Sequence, residues 1–258
     1  MNFLLLPVAG FLIGLLIISL GGGGGGIYVG ILTAFFNISP AIAAATSLAT
    51  IIPTTTIGAI SHARTGNINF HFGLIMLAGA VTGAILGSLS SDFLPENVYN
   101  KITGTLLLIL AVQMFFSYRK KYRQKLNEEI KTDNKRQAII ILKAVSYGFL
   151  GGAMSGLVGI SGSTPIVAGL TFLGCSALET VGTSVFVLVG ISVVGFLMHL
   201  GLGNVDWKLV GLLVLGTTSG AFLAPLLLAK VSKEKLEKIL PPILVIITLI
   251  MGLIVVCK

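Results

Sequence analysis

Eight long apolar stretches, at 3–20, 40–61, 70–90, 98–117, 138–160, 176–198, 209–229 and 239–257, run through this 258-residue chain with little charge inside them. Most approach the roughly 20 residues that a helix needs to cross about 30 Å of hydrocarbon. Only 10% of the residues are charged, against roughly 25% in an ordinary soluble domain. In hydrocarbon every backbone amide must find its partner within the protein, so only helices and closed barrels span it. The stretches lack the apolar–polar alternation of barrel strands. The chain is therefore expected to be all-α, a polytopic helical protein that crosses the cell (plasma) membrane several times and has the lipid bilayer as its solvent.

The net charge of +8 could suggest a nucleic-acid binder, but its placement argues otherwise. Nine of the 17 Lys and Arg residues fall between Arg119 and Lys143, and Lys230, Lys233, Lys235 and Lys238 crowd one short loop. Basic clusters beside apolar spans are cytoplasmic anchors that face anionic lipid, so no nucleic-acid partner is expected. The two cysteines, Cys175 and Cys257, are too few for a disulfide framework. No Cys/His spacing suggests a metal site, and no cofactor is expected. The first apolar run has no Lys or Arg before it and no small-residue cleavage pattern, so it is expected to be retained.

A second constraint is internal repetition. Shifting the chain by 137 residues lays 22–102 on 159–239 without gaps and matches 17 of 81 positions. The matches include Gly22/Gly159, Gly25/Gly162, Ser39/Ser176, Thr46/Thr183, Ser47/Ser184, His62/His199, Gly66/Gly203, Asn67/Asn204 and Gly83/Gly220. Shared hydrophobicity would match Leu, Ile and Ala, whereas many of these are Gly, Ser, Thr, Asn and His. The chain divides into a first transmembrane repeat at 1–117, a basic cytoplasmic linker at 118–137 and a second repeat at 138–258.

Each half begins alike. An apolar helix (3–20 or 144–159) runs into a glycine-rich break, Gly21 to Gly26 in one half and Gly159-Ile160-Ser161-Gly162 in the other. A short apolar segment follows, at 27–36 or 165–174, about half a span long. Ser163-Thr164-Pro165 reads as a helix start with an N-cap and a proline at the first helical position, as does Ser39-Pro40, and Ser176 with Glu179 forms a capping box. A full span then runs to His62 or His199, followed by a Gly-Asn turn and two more spans.

Short, glycine-interrupted segments at matching places in two halves point to a transporter's substrate site. A helix that starts inside the membrane leaves up to four N–H donors unpaired and carries about half a positive charge, while glycines let an anion reach that backbone. No Lys or Arg lies deep within any apolar span, so a bound oxyanion has no obvious side-chain cation. The candidate ligands are Gly22, Gly24, Gly25, Gly26, Thr46, Ser47, Ser161, Gly162, Ser163, Thr164, Thr183 and Ser184. His62, His199 and Glu179 are candidates for gating or proton coupling. The plainer readings are a His that caps its helix end, a Glu that caps its helix start, hydroxyls bonded back to their own helix, and glycines that permit close packing.

The duplicated halves, the broken first helix, the Thr-Ser pairs at 46–47 and 183–184 and the His-x-x-x-Gly-Asn tracts at 62–67 and 199–204 resemble the TauE/SafE sulfite exporter family along nearly the whole chain. That resemblance implies a transporter of sulfite or a related sulfur oxyanion or organosulfonate; as a secondary transporter it would have protons as a candidate coupling ion, from the His and Glu candidates above. Gly24 stands opposite Ser161 in the repeat register, so hydroxyl contacts from the breaks would come from one half.

The halves are expected to be inverted. If the first helix and the short segment form a re-entrant hairpin, each half has three spans, and with the linker cytoplasmic 14 of the 17 Lys and Arg lie inside. Four spans per half would make the halves parallel and place 12 inside. Two rival functions fit parts of the pattern. Gly159-Ile160-Ser161-Gly162 with His199 resembles the Ser-His pair of a rhomboid-like intramembrane protease. However, His62 holds the matching place in a half without such a serine, so no enzyme activity is expected. An anion channel would share the backbone-lined path and differ in turnover.

Overall fold

The computed structural model describes residues 5–22, 40–91, 134–158, 162–199 and 205–256, together with 105, 108, 109, 111, 112, 115 and 116. Among these residues there are helices and turns but no strand. The helices are α1 (Leu5–Ser19), α2 (Pro40–Arg64), α3 (Phe70–Ser91), α4 (Asn134–Val158), α5 (Ser163–Phe172), α6 (Ala177–His199), α7 (Trp207–Ala229) and α8 (Lys233–Val256). Four of them, α3, α4, α6 and α7, are long and apolar enough to cross a membrane. The protein is thus a helical multi-pass membrane protein. Two helices begin earlier than their apolar stretches suggest. Asn134 starts α4 inside the basic linker, and Lys233 starts α8, so three of the four clustered lysines sit on a helix rather than in a loop.

The first helix of each half packs mainly on the other half. Along α1 and α7, Gly10 lies against Leu213 and Gly14 against Thr217, while Gly216 meets Pro7 and Gly220 meets Phe11 and Leu15. Along α3 and α4, Gly79, Gly83 and Gly87 face Val145, Phe149 and Ala153, and Gly148, Gly152 and Gly156 face Met76, Ala80 and Ala84. Residue numbers rise together in both pairs, so each pair runs parallel. Lipid offers apolar side chains no reason to leave it, so helices associate there through close backbone contact, which needs small residues at the crossing. Glycine at four-residue spacing supplies this contact on both sides of the α3–α4 seam.

Between these pairs run α2 and α6. Leu48 lies beside Gly195, Ala59 shares a cluster with Val185, and Asn67 lies against Gly182. Numbers fall on one helix as they rise on the other, so α2 and α6 are antiparallel. In contrast α7 runs parallel to α2, with Thr54 against Thr217 and Ser61 against Phe222. Likewise α3 runs parallel to α6, with Gly73 against Phe186 and Leu77 against Gly190.

Polarity is distributed as a bilayer solvent requires. Thr46, Ser47, Thr50, Thr54, Thr55, Thr183, Ser184 and Thr217 are buried, whereas Leu12, Leu142 and Leu215 are 60–67% exposed. Most of the interior threonines along α2 satisfy themselves. Thr50, Thr54, Thr55 and Thr56 donate to the carbonyl four residues earlier at 2.7–2.9 Å, which removes the penalty of an unpaired hydroxyl in a dry interior.

Candidate functional site

The first break is built by the end of α1. Gly21 takes φ 71°, a left-handed conformation that glycine adopts without a β-carbon clash. Its N–H donates to Ile18 O and that of Gly22 to Ile17 O at 2.9 Å, the paired closure of a glycine-capped helix end. Ser184 Oγ then donates to Gly21 O at 2.6 Å. A β-carbon on Gly21 would lie 2.9 Å from Val181 Cα. Thus α6 holds the end of α1.

In the second half, α5 turns back along α4, with Gly162 against Gly151 and Gly169 against Tyr147. The N-cap of α5 is Gly162, without a side-chain cap hydrogen bond. This corrects the sequence expectation of a Ser163-Thr164-Pro165 start with Pro165 at the first helical position: Ser163 is already helical and Pro165 is third. The shift costs little, because the first N–H groups of a helix have no internal partner and a proline there forfeits no bond. At ten residues α5 is about 15 Å long, half a span.

The end of α1 and the start of α5 lie together. A β-carbon on Gly22 would find Ser163 Oγ at 3.9 Å and Ile17 as its other neighbour at 3.6–3.8 Å, ordinary contacts that leave room for it. Gly162 differs, because its β-carbon would fall inside the contact distance of the Gly151 carbonyl. Packing against α4 therefore requires glycine at 162. Gly24, Gly25, Gly26, Ser161, the 27–36 segment, Ser39, Gly203 and Asn204 lie outside the described residues.

The duplicated threonines have matching tasks. Thr46 Oγ1 accepts the Asp206 N–H at 3.1 Å, and Thr183 Oγ1 accepts the Asn69 N–H at 2.8 Å. The acceptors are 137 residues apart and so are the donors. Each threonine ties the start of the other half's α7 or α3 to its own central helix, so neither simply bonds back to its own helix. Asp206 also caps α7 with its carboxylate, which accepts from the Lys208 and Leu209 N–H groups. Ser47 and Ser184 are fully buried beside them, Thr164 and Ser163 half-buried.

Glu179 forms the capping box read from the sequence: the Ser176 N–H donates to Glu179 Oε2 at 2.9 Å and the Glu179 N–H to Ser176 Oγ at 3.2 Å. His62 does more than close its own helix. It is fully buried, with Nε2 3.5 Å from Ile18 O on α1 and Nδ1 3.4 Å from Asn67 Nδ2. A tautomer protonated on Nε2 donates to the carbonyl and accepts from the amide. Gly66, at φ 70°, and Asn67, whose N–H donates to His62 O at 2.9 Å, close α2. His62 thereby links the Gly-Asn turn to the last turn before the first break. His199 ends α6.

One interior residue had no signal in the sequence. Ser155 on α4 is fully buried, and among the described residues its Oγ is the buried side-chain polar atom without a hydrogen-bond partner. An unpaired hydroxyl in a dry interior costs about 1–3 kcal/mol. Ser155 has no repeat identity to mark it, since Ile18 occupies the corresponding place.

Comparison with known proteins gives the same picture. The sulfite exporter TauE/SafE family matches residues 6–253. The probable membrane transporter protein YdhB of Bacillus subtilis is 31% identical over 213 residues, 82% of this chain and 84% of the relative. The probable membrane transporter protein YunE of the same organism is 25% identical over 267 aligned positions, 96% of each chain. A third relative, the probable membrane transporter protein ORF9 of a Sinorhizobium species, is 27% identical over 75% of this chain and 70% of its own length. No solved structure matches the chain. With Gly22 beside Ser163 in a multi-pass helical bundle and a family match along nearly its full length, this membrane transporter belongs to the sulfite exporter TauE/SafE family.

Proposed function

We propose that this transporter carries a small anion, sulfite or a related sulfur oxyanion or organosulfonate, bound where the breaks of two inverted repeats meet. The observation that carries this reading is the approach of Gly22 to Ser163 in an interior with no fixed charge among its described residues. The buried polar groups are hydroxyls, His62 and Asn67. An anion there is held by N–H groups and by the partial positive charge at the start of α5, whose N-cap is a glycine and so brings no side-chain acceptor to compete. Hydroxyls such as those of Ser163 and Thr164 add donors. Without a full counter-charge the site binds loosely enough to release its load, as a carrier requires.

Inversion is supported by the running directions. The equivalent helices α2 and α6 are antiparallel to each other, while α1 runs with α7 and α4 with α3. If the equivalents were parallel, these relations could not all hold at once. The α4–α5 hairpin supports the re-entrant reading of the broken segment. The name of the family, sulfite exporter, favours sulfite among small anions.

The purified protein in proteoliposomes should move at least one of sulfite, thiosulfate and sulfoacetate, with saturation, in the presence or absence of a proton gradient. Failure to move any sulfur oxyanion, with the protein folded, would overturn the substrate class. Flux that rises without saturation would replace the carrier by a channel.

A further inference from the structure

We infer that His62 and Ser184 are positioning residues that cover the carbonyl end of α1, so that an anion can approach it, and thereby set the site's affinity for negative charge. The inference rests on the anion reading above. An anion between Gly22 and Ser163 meets two helix ends of opposite sign. The start of α5 attracts it, but the end of α1 carries about half a negative charge on carbonyls without an internal partner. The last of these carbonyls lie within four residues of Gly22. The buried groups around them include no fixed cation among the described residues. Left bare, they would offset much of the attraction from α5.

Two donors from other helices cover them. The Gly22 N–H takes Ile17 O at 2.9 Å, and the Gly21 N–H reaches Ile18 O only at 3.3 Å. His62 Nε2, on α2, lies 3.5 Å from that same Ile18 oxygen. Gly21 O, just past the helix, receives Ser184 Oγ of α6 at 2.6 Å. Each donor is fixed from behind. Asn67 Nδ2 faces His62 Nδ1 at 3.4 Å, which suits a ring proton on Nε2, and Asn67 lies against Gly182 of α6. Thr183, beside Ser184, accepts the Asn69 N–H at 2.8 Å. The contacts close a circuit from α1 through α2, the Gly-Asn turn and α6 back to α1. Both side chains are fully buried, and in such surroundings a neutral donor acts more strongly than it would in water. The negative end of α1 is thus offset without a fixed charge.

The effect on a ligand scales with the ligand's charge. A lost donor should therefore raise the KM of a dianion by the square of the factor for a monoanion, which a general loss of structure would not do. The test is transport of thiosulfate, a dianion, and methanesulfonate, a monoanion, by proteoliposomes, with a melting curve for each variant. Ser184→Ala and His62→Leu should each raise the KM about 10-fold for thiosulfate and about 3-fold for methanesulfonate. His62→Gln returns a neutral N–H donor toward Ile18 O and should bring both values within about 2-fold of the wild type. Ser184→Ala, the smaller change, carries the test if His62→Leu does not fold. Equal rises for the two anions, no rise in a folded Ser184→Ala protein, or no recovery in His62→Gln would overturn the inference and leave the anion reading intact. If the wild type moves sulfite or one of these anions alone, the rise in its KM and the recovery in His62→Gln decide. If it moves no sulfur oxyanion, both fall together.

Discussion

Valine at Gly152 should leave little or no folded, monodisperse protein after detergent extraction. The α3–α4 seam brings main chains into contact. A β-carbon on Gly152 would fall within the contact distance of the Ala80 carbonyl, and Ala84 N would be 2.8 Å away. A side chain cannot rotate out of such a clash, because both neighbours are backbone atoms of a regular helix. Overpacking in ordinary cores costs about 1–3 kcal/mol, and here the loss should lie at the top of that range or beyond it. Gly156 and Gly148 sit one turn away in the same seam, so the helices cannot open locally. Gly211→Val is the control: a β-carbon there meets nothing within 4 Å, and this variant should elute and melt like the wild type. A folded Gly152→Val protein would mean that α3 and α4 are not packed in this register.

Valine at Gly22 should do the opposite, abolishing transport in a protein that still folds. Its β-carbon has only ordinary contacts, with Ile17 and Ser163 Oγ at 3.6–3.9 Å. Its Tm should therefore stay within about 4 °C of the wild type, the span of a change near 1 kcal/mol. The added side chain stands between the two breaks, where the anion is proposed to bind, so sulfite flux should fall to the level of empty liposomes. Gly162→Val is a less discriminating probe. The Gly151 carbonyl already occupies its β-carbon direction, so that variant disturbs the docking of α5 on α4 whether or not an anion binds there. Wild-type flux in a folded Gly22→Val protein would exclude the space between Gly22 and Ser163 as the anion's path.

The features legible in the sequence were those with a local cause. Length and the lack of charge marked the long spans. The glycine break marked the end of α1, and Ser176 with Glu179 forms the expected capping box. What the sequence did not reveal was partner choice. Leu12 and Ile17 look alike in a hydropathy scan, but one faces outward and the other inward. In lipid the faces are told apart by small and hydroxyl residues instead, and Gly79, Gly83, Gly148 and Gly152 are the signal of the swapped seams. The proline at 165 misled because a proline is tolerated anywhere in the first turn, not only at its start. Thr46 and Thr183 were legible as a duplicated pair. Their role in holding the other half's helix starts depends on contacts 160 and 114 residues away in sequence. Ser155 was invisible for the converse reason: its distinction is that its repeat partner is Ile18.

An anion site between the breaks, flanked by helix ends from both halves, requires those halves to run in opposite directions across the membrane. Cysteine accessibility tests this most directly. In a background with Cys175 and Cys257 replaced by alanine, Lys121→Cys in the linker and Lys233→Cys at the start of α8 would each be probed with a membrane-impermeant maleimide. Inverted halves predict that both resist labelling in intact cells and both react in inside-out vesicles. Labelling of the two positions from opposite sides would contradict inversion and, with it, the proposed meeting of two opposed helix breaks around one anion.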